Sequence, residues 1–114
     1  MSAFEMTLLY DYYGKMLSEK QQEYIDMRYN QDLSLGEIGE ELGISRQGVH
    51  DNLSRAEALL RNMEAKTGCA GRDQQCRKTA GTILEAARLL QQNQDPVVSA
   101  LAEKIISCAQ GLED

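Results

Sequence analysis

Proline, phenylalanine and histidine each occur once in the 114 residues, and cysteine three times. One Pro and one Phe in a chain rich in Leu, Ala, Glu and Gln favour helix over sheet, so no segment reads as a strand and the fold class is all-α. The lone His50 lies far in sequence from Cys69, Cys76 and Cys108, and no two cysteines form a CxxC pair. Zinc-ligand spacing is therefore missing, and the thiols are expected to be free, with a disulfide, within or between subunits, as the alternative. There is no G-x-S-x-G, no phosphate-cradling glycine loop and no helical histidine pair, and the carboxylates fall in helix caps and solvent faces. An enzyme and a bound cofactor are not expected. The opening MSAFEMTLLYDYYGKM carries no basic leader before its apolar residues. No later stretch approaches the roughly 18 uncharged apolar residues of a membrane span, which predicts a cytoplasmic protein without membrane insertion.

A basic surplus is also missing. Twelve basic against eighteen acidic residues give a net charge of -6, the wrong sign for a protein held on phosphate by bulk electrostatics. Residues 1–67 hold seven basic and twelve acidic side chains, so any nucleic-acid contact in that half must be local.

What is present is helical periodicity. The chain is long enough for one domain with an appendage. Phe4, Leu8, Leu9, Tyr12, Tyr13 and Met16 recur at the spacing of one helix face. Ser18 with Gln21 forms a capping box for a second helix bearing Tyr24, Ile25, Met27 and Tyr29, which ends at Asn30-Gln31-Asp32. Ser34 with Glu37 opens a third, carrying Leu35, Ile38 and Leu42 and stopped by Gly43. Ser45 caps a fourth whose apolar positions are Val49, Leu53, Ala56, Leu60 and Met63, closed by Gly68 and Gly71. The segment TGCAGRD reads as a joint, dividing a helix-turn-helix domain, residues 1–67, from a C-terminal αα-hairpin, residues 68–114. In the hairpin, Cys76, Ala80, Ile83, Leu84, Ala87 and Leu90 form one stripe. After Asp95-Pro96, an N-cap with Pro at the first helical position, Val97, Val98, Leu101, Ile105, Ile106 and Ala109 form the other. Neither stripe can be buried by its own helix, so the hairpin must pack on the first half or on a second subunit, and a homodimer is expected.

The stretch LSLGEIGEELGISRQGVHDNLSRAEALL carries the functional signal. A helix-turn-helix needs a small residue where its helices cross, a turn residue, and apolar side chains locking the two at about 90 to 120°. Gly39 is the small residue and Gly43 sits in the turn, while Ile38, Leu42, Ile44, Val49 and Leu53 suit the shared core. Ser45 then aims the exposed residues Arg46, Gln47, His50 and Asp51 outward. Arg and Gln read guanine and adenine edges bidentately, and Ser54 and Arg55 lie one turn further on, suited to a phosphate. Asp51, and Glu37, Glu40 and Glu41 on the preceding helix, oppose a polyanion. The same stretch also suits two packed helices with no nucleic-acid role, in which Arg46 is a solvated or internally paired arginine. The tyrosines Tyr10, Tyr12, Tyr13, Tyr24 and Tyr29 suit core and rim packing better than stacking on unpaired bases.

The segment EIGEELGISRQGVHDNLSRAEALL is similar to the helix-turn-helix of sigma factor region 4, with Ile38, Gly39, Leu42, Gly43, Ile44, Ser45, Val49, Arg55 and Ala56 in the expected places. A closer resemblance, over roughly residues 7 to 66, is to the YlxM family, small bacterial helix-turn-helix proteins encoded beside the signal recognition particle GTPase. It implies a sigma region 4-like bundle with a regulatory or accessory role in the signal recognition particle pathway, or transcriptional control of that locus. The partners implied are DNA, or the particle's GTPase or RNA. The chain departs from the family pattern at Gly39 and Gly48, where alanine is usual, and at His50, where an aromatic is commoner.

Overall fold

The computed structural model describes residues 2–113. Among them are six α-helices, α1 (Ala3–Tyr13), α2 (Glu19–Ile25), α3 (Leu35–Leu42), α4 (Arg46–Thr67), α5 (Cys69–Gln91) and α6 (Pro96–Gln110), and no strand. The chain forms two compact units, Met1–Ala70 and Gly71–Asp114.

In the first unit α4 is the central element, with α1, α2 and α3 all packed on it. The predicted stripe of α4 is the one that goes inside: Val49, Leu53, Ala56 and Leu60 are buried against Ile38, Ile25, Tyr24, Leu9 and Met6. Each fully buried aliphatic side chain contributes about 1.5–3 kcal/mol relative to exposure. The capping boxes at Ser18/Gln21 and Ser34/Glu37 are both formed. The second helix ends where the sequence indicated, but as a π turn over Asp26–Asn30. The Asp26 carboxylate accepts from Asn30 Nδ2 at 2.8 Å and Gln31 Nε2 at 2.9 Å, which holds its carboxyl below the usual carboxylate range. Asp32 follows with φ 55, a left-handed conformation that Asp tolerates better than most residues.

Three expectations need correction, the last of them in the second unit. The first concerns α1, where Met6, Leu9 and Tyr13 are buried while Phe4, Tyr12 and Met16 point to solvent. Apolar residues lie all round this short helix, so spacing alone leaves its rotation open. Hydrogen bonding settles it: the Tyr13 hydroxyl lies 2.6 Å from both Glu64 Oε1 and Thr67 Oγ1 of α4, which makes its burial affordable. Tyr10 and Tyr29 follow the same rule, Tyr10 donating to the Gln22 carbonyl at 3.3 Å and Tyr29 to Glu57 Oε1.

The second concerns the joint. Gly68 alone, with φ 63, interrupts the helices; α5 starts at Cys69, and Gly71 lies inside it. The last turn of α4 supplies the reason. Ala70 N–H donates to Glu64 Oε1 at 3.0 Å and Cys69 N–H to Thr67 Oγ1 at 3.3 Å. Two of the donors that a helix start leaves without an intrahelical partner are thereby satisfied at once.

In the second unit Asp95 Oδ1 accepts from Val97 N–H at 2.9 Å with Pro96 in the first turn, as expected. Ser99 Oγ donates to the Gln91 carbonyl at 3.1 Å, tying α6 back to α5. The expected stripes are split, however. Ala80, Leu84 and Ala87 of α5 and Ala102 and Ala109 of α6 are buried, while Cys76, Ile83, Leu90, Val97, Leu101 and Ile105 are exposed. Small side chains, with Leu84, have taken the interior.

Tyr29 yields a test of the contact between the π turn and α4. Burial, together with its bond to the Glu57 carboxylate, pushes its hydroxyl up to about 12. The fold thus favours the neutral phenol, and its contribution is complete below the unfolded value near 10 and lost as the pH rises towards 12. Tyr29→Phe is expected to cost about 1 kcal/mol at neutral pH and to flatten the decline in stability between about pH 10 and 12. Urea unfolding of both proteins across that range checks it; an unchanged alkaline slope would contradict the assignment.

Candidate nucleic-acid interface

The helix-turn-helix is built by α3, the turn at Gly43 and Ile44, and the start of α4. Ser34 Oγ accepts from Glu37 N–H at 3.1 Å, and Glu37 Oε1 accepts from Ser34 N–H at 3.1 Å. The backbone bond from Ser34 holds the Glu37 carboxyl below its ordinary value. At the other end of α3, Gly43 has φ 71 and ψ 32, and its N–H reaches the Gly39 carbonyl. Such a left-handed turn suits glycine because a Cβ would crowd the adjacent carbonyl.

Gly39 decides how tightly the helices cross. The Ile44 carbonyl oxygen lies 2.7 Å from the place a Cβ on residue 39 would occupy, and the Arg46 nitrogen 3.6 Å from it. Ile44 N–H in turn donates to the Gly39 carbonyl at 3.0 Å. An alanine at this position would not fit without opening the turn. Ile38, Val49 and Leu53 are buried around the crossing, Leu42 is half-buried, and Ile44 keeps 38% of its surface exposed.

Ser45 Oγ accepts from Gly48 N–H at 3.0 Å and starts α4. The first turn of α4 then carries Arg46, Gln47 and His50 outward, all exposed, and together with Leu35 of α3 they line an open recess of about 390 Å³. Ser54 is half-buried one turn on. Arg55 belongs elsewhere, in a separate recess with Gln21, Ala58, Leu59 and Asn62. Of the proposed contact residues the fold therefore brings together Arg46, Gln47 and His50, next to the exposed cap Ser45, and sets Arg55 apart.

Two features escaped the sequence reading. Leu35, assigned only to the apolar face of α3, is half-buried and forms a wall of the recess. Asp51, read only as a repulsive charge, is also a partner of two of the exposed residues: Gln47 Nε2 donates to its Oδ1 at 3.0 Å, and His50 Nδ1 lies 3.5 Å from the same oxygen. The i, i+4 spacing of Gln47 and Asp51 was the available signal. A bidentate pair from Gln47 to adenine needs its amide nitrogen as well as its oxygen, so Asp51 competes for that group. Glu37, Glu40 and Glu41 with Leu33 surround a further recess on α3, where a polyanion would meet only negative charge.

Comparison with known proteins came to the same motif. The UPF0122 family, described as "Putative helix-turn-helix protein, YlxM / p13 like", matches residues 2–99. The UPF0122 protein of Thermoanaerobacter sp. strain X514 is 44% identical over 101 residues, covering 88% of this chain and 86% of the relative. That of Desulforamulus reducens is 45% identical over 86 residues, 75% of this chain and 71% of the relative. That of Caldanaerobacter subterraneus subsp. tengcongensis is 51% identical over 80 residues, 70% and 68%.

The crossing generates a pair of expectations. Gly39→Ala should destabilise the first unit by about 1–3 kcal/mol, because a backbone oxygen stands in the way. Gly48→Ala should change stability by less than about 1 kcal/mol, since its gain in helix propensity is offset by a 3.2 Å approach to the Ser45 hydroxyl. Chemical denaturation distinguishes them; equal effects would mean that the crossing is loose.

Proposed function

Because the chain belongs to the UPF0122 family of YlxM/p13-like helix-turn-helix proteins, we propose that it is a cytoplasmic regulatory protein that binds duplex DNA through the first turn of α4. The reading rests on one observation: Arg46, Gln47 and His50 stand exposed around a single recess at the start of a capped helix. In helix-turn-helix proteins that part of the second helix contacts base edges in the major groove. Arg46 suits guanine and Gln47 adenine, while the side chain of Ser45 is already engaged as the cap and leaves its backbone to face a phosphate. Ser54 and Arg55 would act further along the backbone. As a homodimer the protein would meet two half-sites about one helical turn apart.

The acidity of α3 favours a second reading. Glu37, Glu40 and Glu41 are all exposed on the helix that normally crosses the DNA backbone, and each opposes phosphate. A helix-turn-helix shape that serves a protein or RNA partner would not suffer from this, and the particle's GTPase or RNA is the partner that the YlxM resemblance implies. In this reading the protein is an accessory adaptor of the signal recognition particle. A pull-down with the purified GTPase and RNA tests it, and absence of both interactions would reject it.

Fluorescence titration at low salt, with the protein's own upstream region against random duplex, tests the first reading. Specific duplex should bind more tightly than random. Arg46→Ala should weaken binding by about 1–3 kcal/mol, roughly 5- to 150-fold. Asp51→Asn, which removes a charge from the groove-facing turn and weakens its hold on Gln47, should strengthen binding by a few-fold, on the order of 1 kcal/mol. No discrimination over random sequence, or insensitivity to Arg46→Ala, would overturn it.

A further inference from the structure

The second unit has its apolar side chains the wrong way round for a hairpin that stands alone. Its buried set is Ala80, Leu84, Ala87, Ala102 and Ala109, in which only Leu84 is large. The large aliphatics are outside: Leu101 is 58% exposed, Leu112 49%, Leu90 47% and Ile105 40%. A hairpin of this size with one large buried side chain falls short of the core that small folds need without further association.

The exposed residues are also ordered. On α6 and its extension, the exposed Leu101, Ile105, Cys108 and Leu112, with the half-buried Val98 before them, follow one another at spacings of three and four, the pattern of a helix–helix seam. On α5, Cys76, Ile83 and Leu90 lie seven apart and so share one edge of the helix. The two rows meet. Ile83 lines an open apolar recess of about 510 Å³ with Leu101, Ile105, Cys108, Ala109 and Leu112, and the one charged residue on its wall is Lys104.

We propose that this face is covered by a second copy of the chain, the two hairpins joining about a twofold axis into a four-helix bundle. The inference rests on the homodimer part of the proposed function and is independent of its nucleic-acid part. Three considerations select a second copy as the occupant. The recess is apolar apart from Lys104, whose ammonium can stay in water while its stem packs, so a nucleic acid or an acidic peptide finds little to pair with. The face offers what it lacks: the protruding Leu101 and Leu112 of one copy fill the groove beside Ile83 of the other, the self-complementarity that a twofold interface requires. The area agrees as well. Leu101, Leu112, Leu90, Ile105 and Ile83 keep 39–58% of their surface open, and covering that surface on both copies would approach the roughly 1,000 Å² at which specific interfaces begin. Ile105, midway between Val97 and Leu112, falls at the axis and faces its own counterpart.

Sedimentation equilibrium of the full chain at micromolar concentration tests the proposal. The wild type should be a dimer. Leu101→Glu and Ile105→Glu should each weaken dimerisation by at least about a hundredfold, since each buries an unpaired carboxylate in the joined state. Both positions are solvent-exposed in the single chain, so circular dichroism should show helicity retained. Gln110→Glu adds the same charge on the opposite side of α6 and should leave the dimer intact. A monomeric wild type would overturn the proposal, whether free or bound to neutral phospholipid vesicles, the latter assigning the face to a membrane surface. A dimer that persists in both Glu variants would overturn it too, by placing the interface elsewhere. Failure to bind DNA would sink the nucleic-acid reading and leave these outcomes unchanged.

Discussion

A carbonyl oxygen pressed into the space of a missing methyl group sets the geometry of the first unit. Ile44 O stands 2.7 Å from where a Cβ on residue 39 would be, so α3 and the entry to α4 cross at backbone contact. Gly43 completes the turn with positive φ, and Ser45 then starts a helix whose inward residues Val49, Leu53, Ala56 and Leu60 bury themselves in the common core. Once that side of α4 is committed, Arg46, Gln47 and His50 have no choice but to face solvent. The exposed recess is thus a consequence of packing, in the sense that the same rotation of α4 that hides Val49 presents Arg46.

The charges complicate what that recess can do. Asp51 shares the first turns of α4 with the residues that would read a duplex, and it holds the Gln47 amide in a hydrogen bond. An acidic α3 lies beside them. Electrostatic attraction at long range, which brings most nucleic-acid-binding proteins to their target, is absent from this chain, whose net charge is -6. Recognition must come from short-range fit, and this condition applies equally to a duplex, a folded RNA or a protein partner.

Much of this was legible in the sequence because it was written in local chemistry. Ser18, Ser34, Ser45 and Asp95 each announced a helix start by pairing a side-chain acceptor with the orphan amides of a first turn, and all four caps are formed. The α4 stripe could be read since its opposite face is polar. The rotation of α1 could not, because apolar residues surround it and the deciding contact, Tyr13 with Glu64, joins positions 51 residues apart. The extent of the joint was hidden for a related reason: the second glycine, Gly71, also read as part of it, while Glu64 and Thr67 reach forward to cap an α5 that starts at Cys69. In the hairpin, the periodicity of both stripes was visible, but it could not say whether alanines or leucines would take the interior. At the candidate site, spacing brought out Arg46, Gln47 and His50; the tie between Gln47 and Asp51 and the wall formed by Leu35 depend on side-chain placement that spacing does not carry.

The account stands on the Gly39–Ile44 contact being fixed in the native protein, and native-state amide hydrogen exchange measures that directly. Ile44 N–H, bonded to the Gly39 carbonyl at 3.0 Å, should exchange only with the global unfolding that releases Ile38 and Val49, although its side chain is partly exposed. Exchange of Ile44 at the rate of a free peptide, with Ile38 and Val49 still protected, would show a turn that opens on its own and an α4 without a fixed direction relative to α3.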